Sequence, residues 1–233
     1  MAVSDTGASE QPVELDISSL MALKKMPVDI FDGIYVGEVK TEALTLCIDI
    51  RHFSKFLRDN DETAVFTLIK EFTSNFLSCV NQFGYNCSYY KLVGDGAIVI
   101  WDTSTDGNIK EALLVFDSFT DFSNEYLFAS YPDLGLAGAL VLEKVFKYEI
   151  SAETSGLKYR DYVGYGINLA CRLQTLAKKD ELILNSRLVQ DGRIPHETQK
   201  SKQTHMQFLK GMREEDRTAL YLYRHTDPQG RMD

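Results

Sequence analysis

Residues 89–101, YYKLVGDGAIVIW, decide the fold, because they predict two strands joined by a tight turn that contains an aspartate. The dipeptide Asp95-Gly96 is a strong hairpin signal, since both residues tolerate a positive φ and the aspartate can bond its own backbone. Asp95 is therefore either a turn residue alone or a ligand as well. One acidic turn residue does not decide between these interpretations, so a partner has to come from the rest of the chain.

Composition sets the class of protein. The 233 residues fit one large domain, and a hydrophobic fraction of 44% is ample for a core. The net charge of −9 argues against a nucleic acid partner, whose binders usually carry a basic face. We see no signal-peptide pattern and no apolar stretch of membrane-spanning length, so we expect a soluble cytoplasmic protein without a membrane partner. The cysteines occur singly without a CxxC motif, which is typical of core thiols in a reducing compartment: Cys47, Cys79, Cys87 and Cys171.

The apolar pattern predicts helices and strands in alternation. From Glu62 to Phe83 apolar residues recur three and four positions apart, which predicts a long amphipathic helix that Gly84 ends. The other predicted helices are a short one within 16–27, ended before Pro27, and those at about 108–127 and 166–179. The predicted strands are 42–50, the two arms of the hairpin, 134–150 as one strand or a pair, 181–186, 205–210 and 218–224. This order indicates an α+β or α/β sandwich around one central sheet, and the polar loop 191–202 is predicted to be the most mobile segment.

Asp49 closes the apolar run of strand 42–50. Aspartate is disfavoured inside strands, and a carboxylate against a hydrophobic sheet is costly unless it is paired or binds a metal. If this strand lies beside the hairpin, Asp49 and Asp95 meet at one edge of the sheet. Two aspartates and a backbone carbonyl, for which Ile50 is well placed, form an oxygen-only site suited to Mg²⁺ or Mn²⁺ bridging phosphates. Taken singly, each aspartate is more simply explained as a cap or a turn residue.

Two further segments could contact a nucleotide. In the helix predicted at 166–179, Asn168 and Arg172 lie four residues apart, opposite the buried apolar stripe. Such a pair could contact a ribose and a negative charge developing on phosphorus, although an ordinary solvated face is the commoner explanation. The backbone amides of the link IRHFSKF, residues 50–56, could cradle a triphosphate, but any strand-to-helix junction looks like this.

Three segments, in this order and spacing, resemble the class III nucleotidyl cyclase catalytic domain: LCIDIRHF (46–53), KLVGDG (91–96) and DYVGYGINLACRL (161–173). The resemblance covers roughly residues 40–225. It implies an α+β sandwich whose central, mostly antiparallel sheet is flanked by helices, in a homodimer. On this basis residues 1–39 are an N-terminal extension, 40–225 the catalytic domain and 226–233 a C-terminal tail.

The resemblance also implies roles for individual residues. Asp49 and Asp95, with the backbone carbonyl of Ile50, match the ligands of two divalent cations, Mn²⁺ or Mg²⁺. Asn168 matches the residue that orients the ribose, and Arg172 the one that stabilises the transition state. The expected reaction is intramolecular: the ribose 3′-oxygen attacks the α-phosphorus and pyrophosphate leaves.

The remaining implied roles concern the base and the triphosphate. Lys91 and Asp161 match the base-recognition pair. The backbone of Phe53 and, by a looser alignment, Lys210 match the groups that bind the triphosphate. In the family, the metal aspartates and the base and transition-state residues come from opposite subunits. A homodimer with two sites at its interface is thus implied.

The identity of the base is the least constrained feature. Lysine donates and an ionised aspartate accepts, a polarity that adenine, guanine, uracil and cytosine all satisfy. Pocket depth would discriminate, because a pyrimidine leaves space that a purine would fill. Most family members have glycine at the position of His52, which Arg51 precedes here, and we hypothesise that bulk at these two residues reshapes the pocket.

The chain looks most like the stand-alone bacterial pyrimidine cyclases of the Pycsar anti-phage system, and we expect no regulatory, transmembrane or receiver segment. The resemblance implies synthesis of cyclic UMP or cyclic CMP, a second messenger that activates a downstream effector, and UTP is the favoured substrate. The alternatives are an adenylate cyclase that makes cyclic AMP, a cytidylate cyclase, and a silent nucleotide-binding or dimerisation module. A diguanylate cyclase is disfavoured because no GGDEF-like run occurs.

Overall fold

The structure, a computed structural model, describes residues 34–152, 158–190, 192, 194, 199–202 and 211–223. The predicted helix within 16–27, the predicted strand 205–210 and Lys210 lie outside these residues. The chain divides into two compact units. The smaller takes residues 1–36 and 150–159, and its described residues are all β-strand. The larger takes 37–149 and 160–233 and contains every predicted site residue.

Eight strands and six helices are described. The strands are β1 Ile34–Arg51, β2 Tyr89–Val93, β3 Gly96–Trp101, β4 Gly135–Ala152, β5 Lys158–Val163, β6 Glu181–Asn185, β7 Gln199–Lys202 and β8 Leu220–Tyr223. The helices are α1 Phe53–Asp59, α2 Glu62–Phe83, α3 Asp106–Phe122 (continued by a π-helical turn, Ser123–Leu127), α4 Tyr165–Gln174, α5 Ser186–Gln190 and α6 Glu215–Thr218. Within the described residues, no helix is long and apolar enough to cross a membrane.

The strands form one sheet in the order β2-β3-β1-β4-β6-β8-β7, with β5 paired to β4. The pairs β1–β3, β2–β3, β6–β8 and β7–β8 are antiparallel, and β4–β6 is parallel. The predicted α+β sandwich with a central, mostly antiparallel sheet is therefore confirmed.

Alternate residues of β1 enter two separate cores, because successive side chains of a strand point to opposite faces of the sheet. Leu46 and Ile48 pack in the cluster that also contains Phe72 of α2 and Phe119 of α3. Cys47 packs in the second cluster, beside residues of α4. Helices thus cover both faces, and β1 runs through the middle of the sandwich.

The long helix α2 has the predicted bounds. The Asp61 carboxylate caps it by accepting from the Ala64 amide (2.8 Å), and the Gly84 amide closes its last turn on the Val80 carbonyl (2.8 Å). Phe72 and Phe76 on its buried face meet Phe119 of α3 edge-on, at ring-centroid distances of 5.4 and 5.1 Å. This aromatic cluster fixes the helical layer against which β1 is pressed.

Three details differ from the sequence-based prediction. The hairpin turn consists of Gly94 and Asp95, because Val93 pairs with Gly96, and the positive φ falls on Gly94 (62°), not on Asp95. The helix predicted at 166–179 ends at Gln174. The polar loop 191–202 ends in strand β7, which pairs with β8; an edge strand of polar residues carries no apolar alternation to announce it.

Candidate active site

Asp49 lies where β1 leaves the sheet, directly beside the hairpin turn. Its Cα is paired with that of Gly96, and the Ile50 amide donates to the Asp95 carbonyl (3.2 Å). A Cβ added at Gly96 would stand 2.4 Å from the Ile48 carbonyl and 3.2 Å from Asp49 Oδ1, so only glycine permits this approach. The two predicted metal aspartates and the predicted carbonyl ligand are therefore brought together by the β1–β3 pairing.

The surroundings of the Asp49 and Asp95 carboxyl groups disfavour the ionised form of both. Burial, and next the negative charge of Asp95, raise the pKa of Asp49, while Arg51 and a hydrogen bond from Gln174 lower it. Burial likewise raises the pKa of Asp95, against the charge of Arg51. A divalent cation between the two aspartates would offset both effects, because it favours the ionised form. The donor set, which consists of oxygens only, fits Mg²⁺ or Mn²⁺.

Helix α4 holds the Asp49 carboxylate in position. Gln174 Nε2 donates to Asp49 Oδ2 (3.1 Å), and the Arg51 guanidinium donates to the main-chain carbonyl of Gln174. Gln174 is only 5% exposed, so its amide is fixed by the surrounding core. The last turn of α4 and the end of β1 are thus tied by two hydrogen bonds that run in opposite directions.

Asn168 and Arg172 are both exposed on α4, whereas Leu169, Ala170 and Leu173 are buried. The predicted division of this helix into a polar and a buried face is confirmed. The main-chain N–H of Asn168 donates to the carbonyl of Gly164, the residue that precedes the helix (3.2 Å), as part of the first helical turn. Both side chains therefore project from a helix whose buried side packs in the second core cluster.

Lys91 and Asp161, the predicted base-recognition pair, form an ion pair at 2.8 Å. Asp161 is 7% exposed, and its Oδ1 also accepts from the Tyr89 hydroxyl (2.8 Å) and the Tyr162 amide (2.8 Å). The Tyr89 and Tyr162 rings lie 5.0 Å apart between centroids. Three donors, the Lys91 ammonium, the Tyr89 hydroxyl and the Tyr162 main-chain amide, thus hold the Asp161 carboxylate in position.

The candidate metal ligand and the base-recognition pair share one face of the sheet. Lys91 is paired with Ile98 of β3, and Ile98 with Cys47 of β1. Side chains in one cross-strand row lie on the same face, and Asp49, two residues beyond Cys47, lies there too. Ile98 and Cys47 pack in one cluster with Leu173 of α4. Asp49 and Lys91 therefore lie on the face that α4 covers.

The link after Asp49 places its residues in different surroundings. His52 is exposed in the left-handed region (φ 62°, ψ 16°), and Phe53 opens α1 with a buried side chain. A cavity of about 380 Å³ is lined by His52, residues of α1 and residues 130–134, and none of the other predicted site residues that the structure describes lines it. The specificity role of Arg51 and His52 and the triphosphate role of Phe53 stay predictions.

Two residues of the site were missed from the sequence. Gln174 lies four residues after Ala170 and hence on the buried face of the helix. A polar amide at such a position was the available signal that Gln174 has a hydrogen-bond partner. Tyr89 lies two residues before Lys91 and hence on the same face of β2. Their contacts with Asp49 and Asp161 join segments 125 and 72 residues apart in sequence, which local pattern does not reveal.

Solved structures similar to this chain include adenylyl and guanylyl cyclases. The guanylyl cyclase Cya2 has a TM-score of 0.66 at 14% identity, covering 84% of this chain and 98% of that one. The adenylyl cyclase CyaB from P. aeruginosa has a TM-score of 0.65 at 14% identity, covering 82% and 98%. The guanylate cyclase domain of RhGC from Catenaria anguillulae, solved in complex with GTP, has a TM-score of 0.63 at 13% identity, covering 79% and 97%.

No protein-family model and no curated protein matches the sequence. At 13–14% identity the likeness to solved structures is one of fold. The chain has the fold of the class III adenylyl and guanylyl cyclase catalytic domains.

Proposed function

We propose that this protein is a nucleotidyl cyclase that converts a nucleoside triphosphate into the 3′,5′-cyclic monophosphate and pyrophosphate. The observation that carries the proposal is the pairing of Asp49 with the Asp95 turn, under a helix that bears Asn168 and Arg172, in a cyclase fold. A fold shared with cyclases fixes no activity by itself, so the argument rests on these side chains.

The catalytic roles follow from the chemistry of each group. Asp49, Asp95 and the Ile50 carbonyl would hold two divalent cations, which supply positive charge to the phosphates and raise the acidity of the ribose 3′-hydroxyl. Asn168 orients the ribose so that its 3′-oxygen stays close to the α-phosphorus. Arg172 places a permanent positive charge where negative charge grows as pyrophosphate leaves. The backbone of Phe53 and Lys210 are proposed to bind the triphosphate.

For the base, we favour a pyrimidine, with UTP first and CTP second. Lys91 offers donors and the fixed Asp161 carboxylate offers an acceptor, which uracil O4 and N3–H satisfy. The Tyr89 hydroxyl donates to that carboxylate, and the Tyr89 and Tyr162 rings lie 5.0 Å apart between centroids; we propose that these rings limit the depth of the base site. Likeness to the Pycsar pyrimidine cyclases extends the proposal to a cytoplasmic cyclic UMP signal that acts on an effector in anti-phage defence.

Adenylate cyclase is the second candidate, because adenine N1 and its 6-amino group match the same Lys91–Asp161 polarity. One of the similar structures is itself an adenylyl cyclase. Substrate preference alone separates the two candidates.

The deciding experiment incubates the purified protein with Mn²⁺, and separately with Mg²⁺, and each of ATP, GTP, CTP and UTP. Mass spectrometry then measures 3′,5′-cyclic monophosphates. We expect cyclic UMP in excess over cyclic CMP and none from an Arg172→Ala variant. Cyclic AMP as the main product would replace the pyrimidine proposal with the second candidate.

A silent nucleotide-binding module is the alternative of another class. It predicts no product from any nucleotide with either metal, together with a measurable nucleotide affinity. If a folded protein binds nucleotide but forms no product from any nucleotide with either metal, the enzymatic proposal is overturned.

A further inference from the structure

Two of the four cysteines, which the sequence pattern treats as separate core thiols, meet in the folded chain. Cys47 of β1 and Cys171 of α4 are 124 residues apart in sequence, and the Cys47 thiol donates to Cys171 Sγ at 3.6 Å. The other two lie elsewhere: Cys79 Sγ donates to the Val115 carbonyl (3.6 Å), and Cys87 is half-buried. All four are free thiols.

We propose that Cys47 and Cys171 form a redox modification site: a hydroperoxide closes them into an intrachain disulfide that ties β1 to α4 and lowers turnover. The sulfurs need to approach by about 1.5 Å to reach the S–S bond length of about 2.05 Å. Disulfides in reducing compartments are, when present, usually transient and regulatory, which suits a pair held in contact as thiols.

The chemistry balances with hydrogen peroxide, the simplest hydroperoxide, as the oxidant. Cys171, the half-buried member, is reached first; its sulfur attacks the peroxide, so that an S–O bond forms, the O–O bond breaks and water leaves. The sulfur of Cys47, a residue that is only 7% exposed, then attacks the sulfenic sulfur. An S–S bond forms, the S–O bond breaks and a second water leaves. Two thiols lose two electrons, and the peroxide gains them.

The expected loss of turnover follows from where the Cys47–Cys171 disulfide would lie, and it rests on the proposed function. Cys47 lies two residues before Asp49, and Cys171 directly precedes Arg172. Three residues after Cys171, Gln174 donates to Asp49, so the disulfide would form beside this contact. Drawing α4 towards β1 by an ångström displaces both Arg172 and Asp49, which serve the two shared sites of the proposed homodimer, and a misplacement of that size is sufficient to slow a positioned reaction.

The test oxidises the full-length protein with a small excess of hydrogen peroxide, alkylates the remaining thiols and measures intact mass and peptide linkage. We expect two alkylated cysteines instead of four, a loss of two hydrogens, and a linked pair of peptides containing Cys47 and Cys171. Turnover should fall by roughly tenfold or more and return with dithiothreitol.

Variants make each part of the inference falsifiable. Cys171→Ala, at a half-buried position, should fold, remove the linkage and make turnover resistant to peroxide, and Cys47→Ala repeats the test from the other side. Cys79→Ala is the matched control and should still link. Four free thiols after oxidation, a stable Cys171 sulfinic acid, or linkage between chains would each overturn the site.

The two proposals fail in distinguishable ways. A disulfide that forms in a protein without cyclase activity, reduced or oxidised, supports the site and contradicts the proposed function. A disulfide that forms while turnover stays constant overturns the regulatory half of the inference.

Discussion

Asp49 and Asp95 keep their places against a cost in stability, because burial raises the pKa of both carboxyl groups above the ordinary value of 3.8. A carboxyl group whose folded pKa is raised holds its proton longer in the folded than in the unfolded chain. Without metal, its contribution therefore becomes unfavourable as the pH rises above 3.8 and stays so above the folded pKa. Residues that tolerate such a cost are typical of binding sites.

Asp49→Asn should stabilise the metal-free protein by about 0.5–2 kcal/mol, because the amide carries no charge to desolvate. Gln174 can still donate to the amide oxygen, so the packing is preserved. Chemical denaturation at about pH 7 and about pH 4 should show the advantage shrinking at the lower pH. The variant should also lose the rise in Tm that Mn²⁺ gives the wild type.

The matched control is Asp59→Asn, an exposed aspartate of α1 paired with Arg58 at 2.9 Å. A surface ion pair of this kind adds little stability, so this variant should behave as the wild type in both measurements. Destabilisation of Asp49→Asn, or an undiminished Mn²⁺ effect, would contradict the metal assignment.

His52 has a backbone conformation that suits glycine better. Its φ of 62° lies in the left-handed region, where a Cβ costs about 1–2 kcal/mol, while glycine loses more entropy on folding. His52→Gly should therefore raise the free energy of unfolding by up to about 1 kcal/mol, measured by urea denaturation. The same variant, assayed on four nucleotides, tests the base-pocket hypothesis: an unchanged product ratio would count against it.

At the scale of elements, the last turn of α4 positions the proposed metal-binding end of β1, because Gln174 hydrogen-bonds to Asp49. Gln174→Leu removes the donor to Asp49 Oδ2 at similar side-chain size. We expect the Mn²⁺ concentration for half-maximal turnover to rise by roughly tenfold or more, as on loss of hydrogen bonds behind metal ligands. The nucleotide KM should stay nearly constant, which separates a positioning role from general damage.

Gln82→Leu, at an exposed position of α2, serves as the control and should change neither constant. If Gln174→Leu altered the metal and nucleotide constants equally, or left both unchanged, Gln174 would have no specific role in holding Asp49.

Elements with strong local signals could be predicted from the sequence. Helix α2 carries a cap at Asp61, apolar residues three and four apart, and a stop at Gly84, so its bounds were predicted correctly. Helix α4 was predicted too long, because the apolar Leu176 and Ala177 continue the pattern although the helix ends at Gln174. Strand β7 was missed, since its pairing with β8 depends on tertiary structure and not on local pattern.

At the scale of the whole molecule, the proximity of Asp49 and Asp95 was predictable. One lies at a strand end and the other in a hairpin turn, so the pairing of β1 with β3 is sufficient to bring them together. The contacts of Gln174 and Cys171 with β1 were not predictable, since each depends on how α4 lies across the sheet. Sequence spacing along one element reports which face a residue occupies. It does not report which residue of another element lies opposite.

The proposed homodimer, with each site assembled from two subunits, has a quantitative consequence. In a mixed dimer of Asp49→Asn and Arg172→Ala chains, one site takes both intact residues and the other takes both substitutions. After equal mixing and subunit exchange, half of the dimers are mixed and each has one working site, so turnover should recover to about a quarter of wild type.

Each variant alone should be nearly inactive, and a mixture of Asp49→Asn with Asp95→Asn chains is the matched control. Those two substitutions affect the same half of a shared site, so their mixture should stay inactive in every dimer. Sites contained within single chains predict no recovery in either mixture. Recovery in the first mixture alone therefore requires that the aspartates of one chain work with the arginine of the other.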